Sequence, residues 1–69
     1  MTLKELIKEG IIKDEDRIVV KKAVAGNLER IASGNWYQDR VLEYMEAEIY
    51  SLSYVKGRGW TVNLDRIEV

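Results

Sequence analysis

Apolar and polar residues alternate with a period of two through Tyr50-Ser51-Leu52-Ser53-Tyr54 and again through Trp60-Thr61-Val62-Asn63-Leu64. The stretch from Ala47 to Ile67 therefore predicts two β-strands around Lys56-Gly57-Arg58-Gly59. A three-residue loop, Gly57-Arg58-Gly59, places Tyr54 opposite Val62, Leu52 opposite Leu64 and Lys56 opposite Trp60. Tyr50, Leu52, Tyr54, Trp60, Val62 and Leu64 then share one face, and Ser51, Ser53, Thr61, Asn63 and Asp65 share the other. A two-residue loop, Gly57-Arg58, would set Trp60, Val62 and Leu64 beside Ser51 and Ser53. A one-residue slip exchanges the buried and solvated sets, so the longer loop is expected, with Gly59 in the left-handed position that ends it.

Upstream, the period changes. Thr2-Leu3-Lys4-Glu5 fits a capping box, with the Thr2 hydroxyl accepting from the Glu5 N–H and the Glu5 side chain returning to the Thr2 N–H. Leu3, Leu6 and Ile7 form one stripe of a short helix that Gly10 stops, and Ile11 and Ile12 plug the core edge. Lys13-Asp14-Glu15-Asp16 reads as a solvated turn, because the spacing and the later bidentate Glu of a calcium loop are absent. Arg17 to Val24 is a strand, Ala25-Gly26-Asn27 a turn, and Leu28 to Ser33 the returning strand. A three-residue loop pairs Val24 with Leu28, Lys22 with Arg30 and Val20 with Ala32; a two-residue Gly26-Asn27 loop is the alternative. Asn35, with Gln38 three residues on, predicts the cap of a second helix over Trp36 to Met45, carrying Tyr37, Val41, Tyr44 and Met45 at helical spacing. The order is helix, hairpin, helix, hairpin. It predicts an α+β fold, a four-stranded antiparallel sheet made of two hairpins with two short helices against one face.

Length and composition narrow the picture. The chain has 69 residues, 46% apolar and 33% charged, which predicts one small α+β domain over 1–69. A core of this size rarely supplies more than ~3–5 kcal/mol. The chain has neither Cys nor His, so disulfides are excluded and a zinc site is not expected. Self-association is the remaining support, and a homo-oligomer is expected. The net charge of −1 lacks the basic excess of a nucleic-acid domain, so nucleic acid is not an expected partner. No apolar run approaches the ~18 residues of a membrane span, and Met1-Thr2-Leu3-Lys4-Glu5 starts a helix rather than a signal peptide. A soluble, cytoplasmic protein without membrane attachment is expected.

The residues that carry catalysis elsewhere are missing. Without His there is no ordinary general base, and Ser51 and Ser53 alternate as outward strand residues with nothing to activate them. Paired carboxylates such as Glu46 and Glu48 lack a deep cleft. The expectation is no enzyme, no cofactor and no metal. Two features can bind. Lys56-Gly57-Arg58-Gly59 offers backbone N–H groups and charge to an anion, although a strand rather than a helix follows it. Trp36 and Tyr37 stand at a helix start, where an exposed aromatic beside basic residues can stack a nucleobase or anchor a protein. With Lys22 and Arg30 of the first hairpin, the candidate ligand-binding set is Trp36, Tyr37, Lys22, Arg30, Lys56 and Arg58.

The succession Arg17-Ile18-Val19-Val20, Gly26-Asn27-Leu28-Glu29, a short helix and Glu48-Ile49-Tyr50-Ser51-Leu52 resembles small phage- and prophage-encoded proteins of Gram-positive bacteria. The resemblance runs from about Thr2 to Leu64 and includes a "TLKE"-like opening helix. Many of those proteins have Ile-Pro where this chain has Trp36-Tyr37, and no binding residue is carried over. The resemblance implies anti-defence work in the host cytoplasm. One form is an oligomeric sponge that sequesters an anionic nucleotide second messenger without turning it over. The alternative is a small protein–protein inhibitor or adaptor that blocks a host defence protein by adding a strand to it.

Overall fold

The computed structural model describes residues 1–65. Its elements are α1 (Leu3–Lys8), β1 (Ile18–Val24), β2 (Asn27–Gly34), α2 (Asp39–Leu42), β3 (Ser51–Val55) and β4 (Gly59–Asn63), an α+β fold in the expected order. Ile67, at the end of the expected second hairpin, lies outside the described residues. Each hairpin is antiparallel, but the sheet order is β2-β1-β4-β3 and the central pair, β1 with β4, is parallel. The expected all-antiparallel sheet is thus a mixed one. The cause is the connection through α2, which crosses from one edge strand to the other and returns the chain in the direction of β2. β3 then runs with β2, and β4 must run with β1.

Helix α1 forms because both its ends are closed. Thr2 Oγ1 accepts the Glu5 N–H at 3.3 Å, as expected; the Glu5 carboxylate, however, accepts from the Thr2 hydroxyl at 3.2 Å rather than from the Thr2 N–H. At the other end Gly10 takes φ +78°, Gly10 N–H donates to Ile7 O and Ile11 N–H to Leu6 O, a Schellman closure. That turn throws Ile12 into the core and leaves Ile11 outside. The core is Leu3, Leu6, Ile12, Ile18, Val20, Ala32, Val41, Ile49 and Val62, all on the helix-covered side of the sheet.

The second helix is shorter than its spacing implies. The Asn35 side chain donates to the Asp14 carbonyl at 2.9 Å and its N–H is taken by Gln38 Oε1 at 2.9 Å, so 35–38 is a tethered turn and helix begins only at Asp39. Beyond Leu42 the chain continues in tighter turns, with Tyr44 N–H on Val41 O and Met45 N–H on Leu42 O. Val41 is buried and Tyr44 and Met45 pack beneath it, whereas Tyr37 turns outward.

Both hairpins differ in register from expectation. The second loop has three residues, but they are Lys56-Gly57-Arg58: Val55 pairs with Gly59, Tyr54 with Trp60 and Leu52 with Val62. This is a two-residue slide, so the face assignments hold. Of the residues expected on the core face, Tyr50 and Tyr54 remain exposed, Tyr54 lying against the Trp60 ring at 4.9 Å. In the first hairpin the loop is Ala25-Gly26, both at positive φ (50° and 83°), which suits the twist of a two-residue hairpin. Val24 pairs with Asn27, Lys22 with Glu29 and Lys21 with Arg30; a bulge at Ile31 then restores the expected pairing of Val20 with Ala32.

Gly59 joins the hairpins. It has φ +90°, and a Cβ there would collide with the Arg17 carbonyl oxygen, which accepts the Trp60 N–H at 2.7 Å. Gly57 has a similar φ of +86° in open space. Gly57→Ala is expected to cost only backbone strain, about 1 kcal/mol, and Gly59→Ala about 3 kcal/mol, because it also parts β1 from β4. Urea unfolding midpoints of the two variants check the difference; equal losses would contradict it.

Candidate functional site

One face of the sheet carries the helices, and among the described residues the other carries none. On the open face β1 presents Val19 and Lys21, β4 presents Thr61, and β2 presents Leu28 and Arg30. Below them, where β1 and β4 begin, Arg17 and Arg58 flank the glycine loop. Together these residues line a concavity of about 760 Å³, open to solvent, with Tyr54 and Val55 on its rim. Four basic side chains, Arg17, Lys21, Arg30 and Arg58, and two acidic ones, Glu15 and Asp16, surround it. Among the described residues none of the four cations forms an ion pair; the pairs present are the N-terminal amine with Glu48 and Lys4 with Glu46.

The bulge at Ile31 decides which lysine meets Arg30. Without it Arg30 would pair with Lys22, on the helix-covered side; with it Arg30 pairs with Lys21, and both belong to the open face. A bulge that re-aims a side chain at a concave surface is a common device near binding sites.

Of the candidate residues, Arg30 and Arg58 line this concavity together. Lys22, Lys56, Trp36 and Tyr37 do not. Lys22 pairs with Glu29 on the opposite face. Trp36 packs against the core with its indole N–H on Asp14 Oδ1 at 2.8 Å. Tyr37 is 55% exposed and meets Trp36 edge-on. Tyr54 borders the concavity, but its ring lies against Trp60 on the helix-covered side. Arg17 carries no signal in the sequence, and Lys21, which clusters with Lys22 and Arg30 on the first hairpin, stands outside the candidate set. The signal for Lys21 was available, because a strand that buries Val20 must turn its odd-numbered neighbours to the other face.

The acidic turn before β1 is structural. Asp14 holds the Trp36 indole, and Asp16 Oδ2 accepts both the Lys13 N–H and the Trp60 indole N–H at 3.0 Å. No three carboxylates among the described residues converge as a metal site would need. The Asp16 carboxyl is held below its usual pKa, first by the Lys13 backbone N–H and then by the Trp60 indole. The two acidic side chains of the concavity are therefore unequal: Asp16 is committed to the turn, and Glu15 is not.

No protein-family model matches the chain, and neither a curated protein nor a solved structure is similar to it at a significant level. Among the described residues no helix is long and apolar enough to cross a membrane.

A lowered carboxyl pKa gives stability that is present above the unfolded value, about 3.9, and lost as pH falls through the folded value. Part of the acid sensitivity below about pH 4 is therefore expected to come from Asp16. Comparing urea midpoints at pH 7 and pH 3 checks this. Asp16→Asn should lower the midpoint at pH 7 and narrow the gap between the two pH values; an unchanged gap would contradict it.

Proposed function

We propose that this chain is a non-catalytic binding protein that holds an anionic, nucleotide-type signal on the open face of its sheet. The observation that carries the reading is the convergence of Arg17, Lys21, Arg30 and Arg58 on one concavity in a chain of net charge −1. Its volume of about 760 Å³ falls within the range of small-ligand sites, roughly 300–1,000 Å³. Arginine suits phosphate because its planar fork donates to two oxygens at once. Val19 and Thr61 make a floor between the upper and lower pairs of cations.

The concavity offers no row of aromatic rings, so it suits a compact phosphate-bearing ligand better than a nucleic-acid strand, whose successive bases need one. The site brings together no nucleophile with a base to activate it, so the reading is retention rather than turnover. The resemblance to small phage proteins suits a stoichiometric role in the host cytoplasm, where self-associated copies would draw down an immune second messenger.

Native mass spectrometry and calorimetry with pyrophosphate, ATP, ADP-ribose and a cyclic dinucleotide test the reading. At least one nucleotide should be retained and recovered unchanged. Loss of a charge-assisted contact is worth about 1.5–3 kcal/mol, so Arg30→Gln and Arg17→Gln should each weaken retention roughly ten- to hundredfold. Lys22→Gln and Lys56→Gln should leave it within about twofold. No ligand held across the panel, or equal losses at Lys22 and Arg30, would overturn the proposal.

A further inference from the structure

The two edges of the sheet are unlike. Edge strand β2 carries the bulge at Ile31 and the charges Glu29 and Arg30, features that discourage another strand from pairing. Edge strand β3 reads Ser51-Leu52-Ser53-Tyr54-Val55, with no charge and no proline. Its free hydrogen-bonding groups follow from its neighbour. The N–H groups of Trp60 and Leu64 go to β1, on Arg17 O at 2.7 Å and Lys21 O at 2.9 Å. By alternation Gly59, Thr61 and Asn63 face β3, and their register partners Val55, Ser53 and Ser51 face back. Leu52 and Tyr54 are left with N–H and C=O pointing outward. The chain start pairs with this segment only at Glu48 and Ile49, short of Ser51.

We propose that a second copy of this chain occupies that edge, its β3 antiparallel to the first about a twofold axis at Ser53. Self-complementarity argues for a copy. Pairing about Ser53 sets Leu52 of each chain against Tyr54 of the other, an aliphatic–aromatic cross-strand pair made twice by symmetry, with no like charges opposed. Leu52 and Tyr54 are also the residues with outward backbone groups, so they exchange hydrogen bonds in the same pairs. The exposed Tyr54 ring gains a cover. The axis stands perpendicular to the sheet, so both helix layers stay on one side and both basic concavities open on the other. Tyr54 and Val55 form the rim, so the second copy walls each concavity on its β3 side. The inference deepens the self-association within the proposed function and is independent of which ligand is held.

The chain has no cysteine, so Ser53→Cys gives each copy one thiol. In this pairing the two introduced thiols oppose each other at a non-hydrogen-bonded position, with Cβ atoms about 4.5–5.5 Å apart and in reach of a disulfide after slight closure. Mild oxidation at micromolar concentration should cross-link them at least about tenfold faster than the same change at Glu29 on the other edge. The native mass of the unmodified chain should shift from monomer to dimer with concentration, and Ser53→Lys should hold it monomeric while remaining folded by circular dichroism. Equal cross-linking at both edges, or a monomer at every concentration, would overturn the proposal. So would protection of the Leu52 and Tyr54 amides that appears only when a different protein is added. Pyrophosphate titration run in parallel separates the two readings: a β3-linked dimer that retains no anion overturns the ligand reading and upholds this one.

Discussion

The seam between β1 and β4 is the constraint on which the rest of the molecule depends. Neither hairpin is stable alone at this length. They become one sheet along the parallel register of Ile18–Lys21 with Trp60–Asn63, which the Trp60 N–H on Arg17 O and the Leu64 N–H on Lys21 O close at its two ends. Gly59 lets the backbones approach, since any side chain there meets the Arg17 carbonyl. The same seam makes the two faces. On one side Ile18, Val20 and Val62 form the floor of the core; on the other Val19, Lys21 and Thr61 form the floor of the basic concavity. Core and site are two sides of one set of strand pairings.

The acidic turn ties the ends of that arrangement together. Asp16 takes the Trp60 indole from β4, Asp14 takes the Trp36 indole, and Asn35 closes back onto the Asp14 carbonyl. The only polar group of each tryptophan is thereby satisfied at the margin of a thin core. Arg17 follows this turn directly and is placed by it at the foot of the concavity.

Much of the fold was legible because alternation marks faces. The serines of β3 and the apolar residues of β4 were assigned to the right sides from sequence alone. Register was less legible for a physical reason: a slide by two residues leaves every face unchanged, so the pattern cannot distinguish the loop Gly57-Arg58-Gly59 from Lys56-Gly57-Arg58. In β2 the adjacent apolar pair Ile31-Ala32 broke the alternation and was the mark of the bulge. Parallel pairing at the centre depended on how 35–50 crosses the sheet, which no local pattern records. The candidate site was half legible. Arg30 and Arg58 are in the candidate set, although the face of Arg30 depends on the bulge; Lys21 follows from alternation with Val20, and Arg17 depends on the seam. Net charge was a poor guide because it averages a basic face with an acidic remainder.

In the proposed function the open face, and not the Trp36–Tyr37 corner, receives an anion. Amide chemical-shift mapping by two-dimensional NMR during titration with ATP tests it most directly. Saturable shifts are expected at Arg17, Val19, Lys21, Arg30, Arg58 and Thr61, with Trp36, Tyr37 and Lys22 unmoved. Shifts centred on Trp36 and Tyr37, or none above those caused by matched ionic strength, would contradict it.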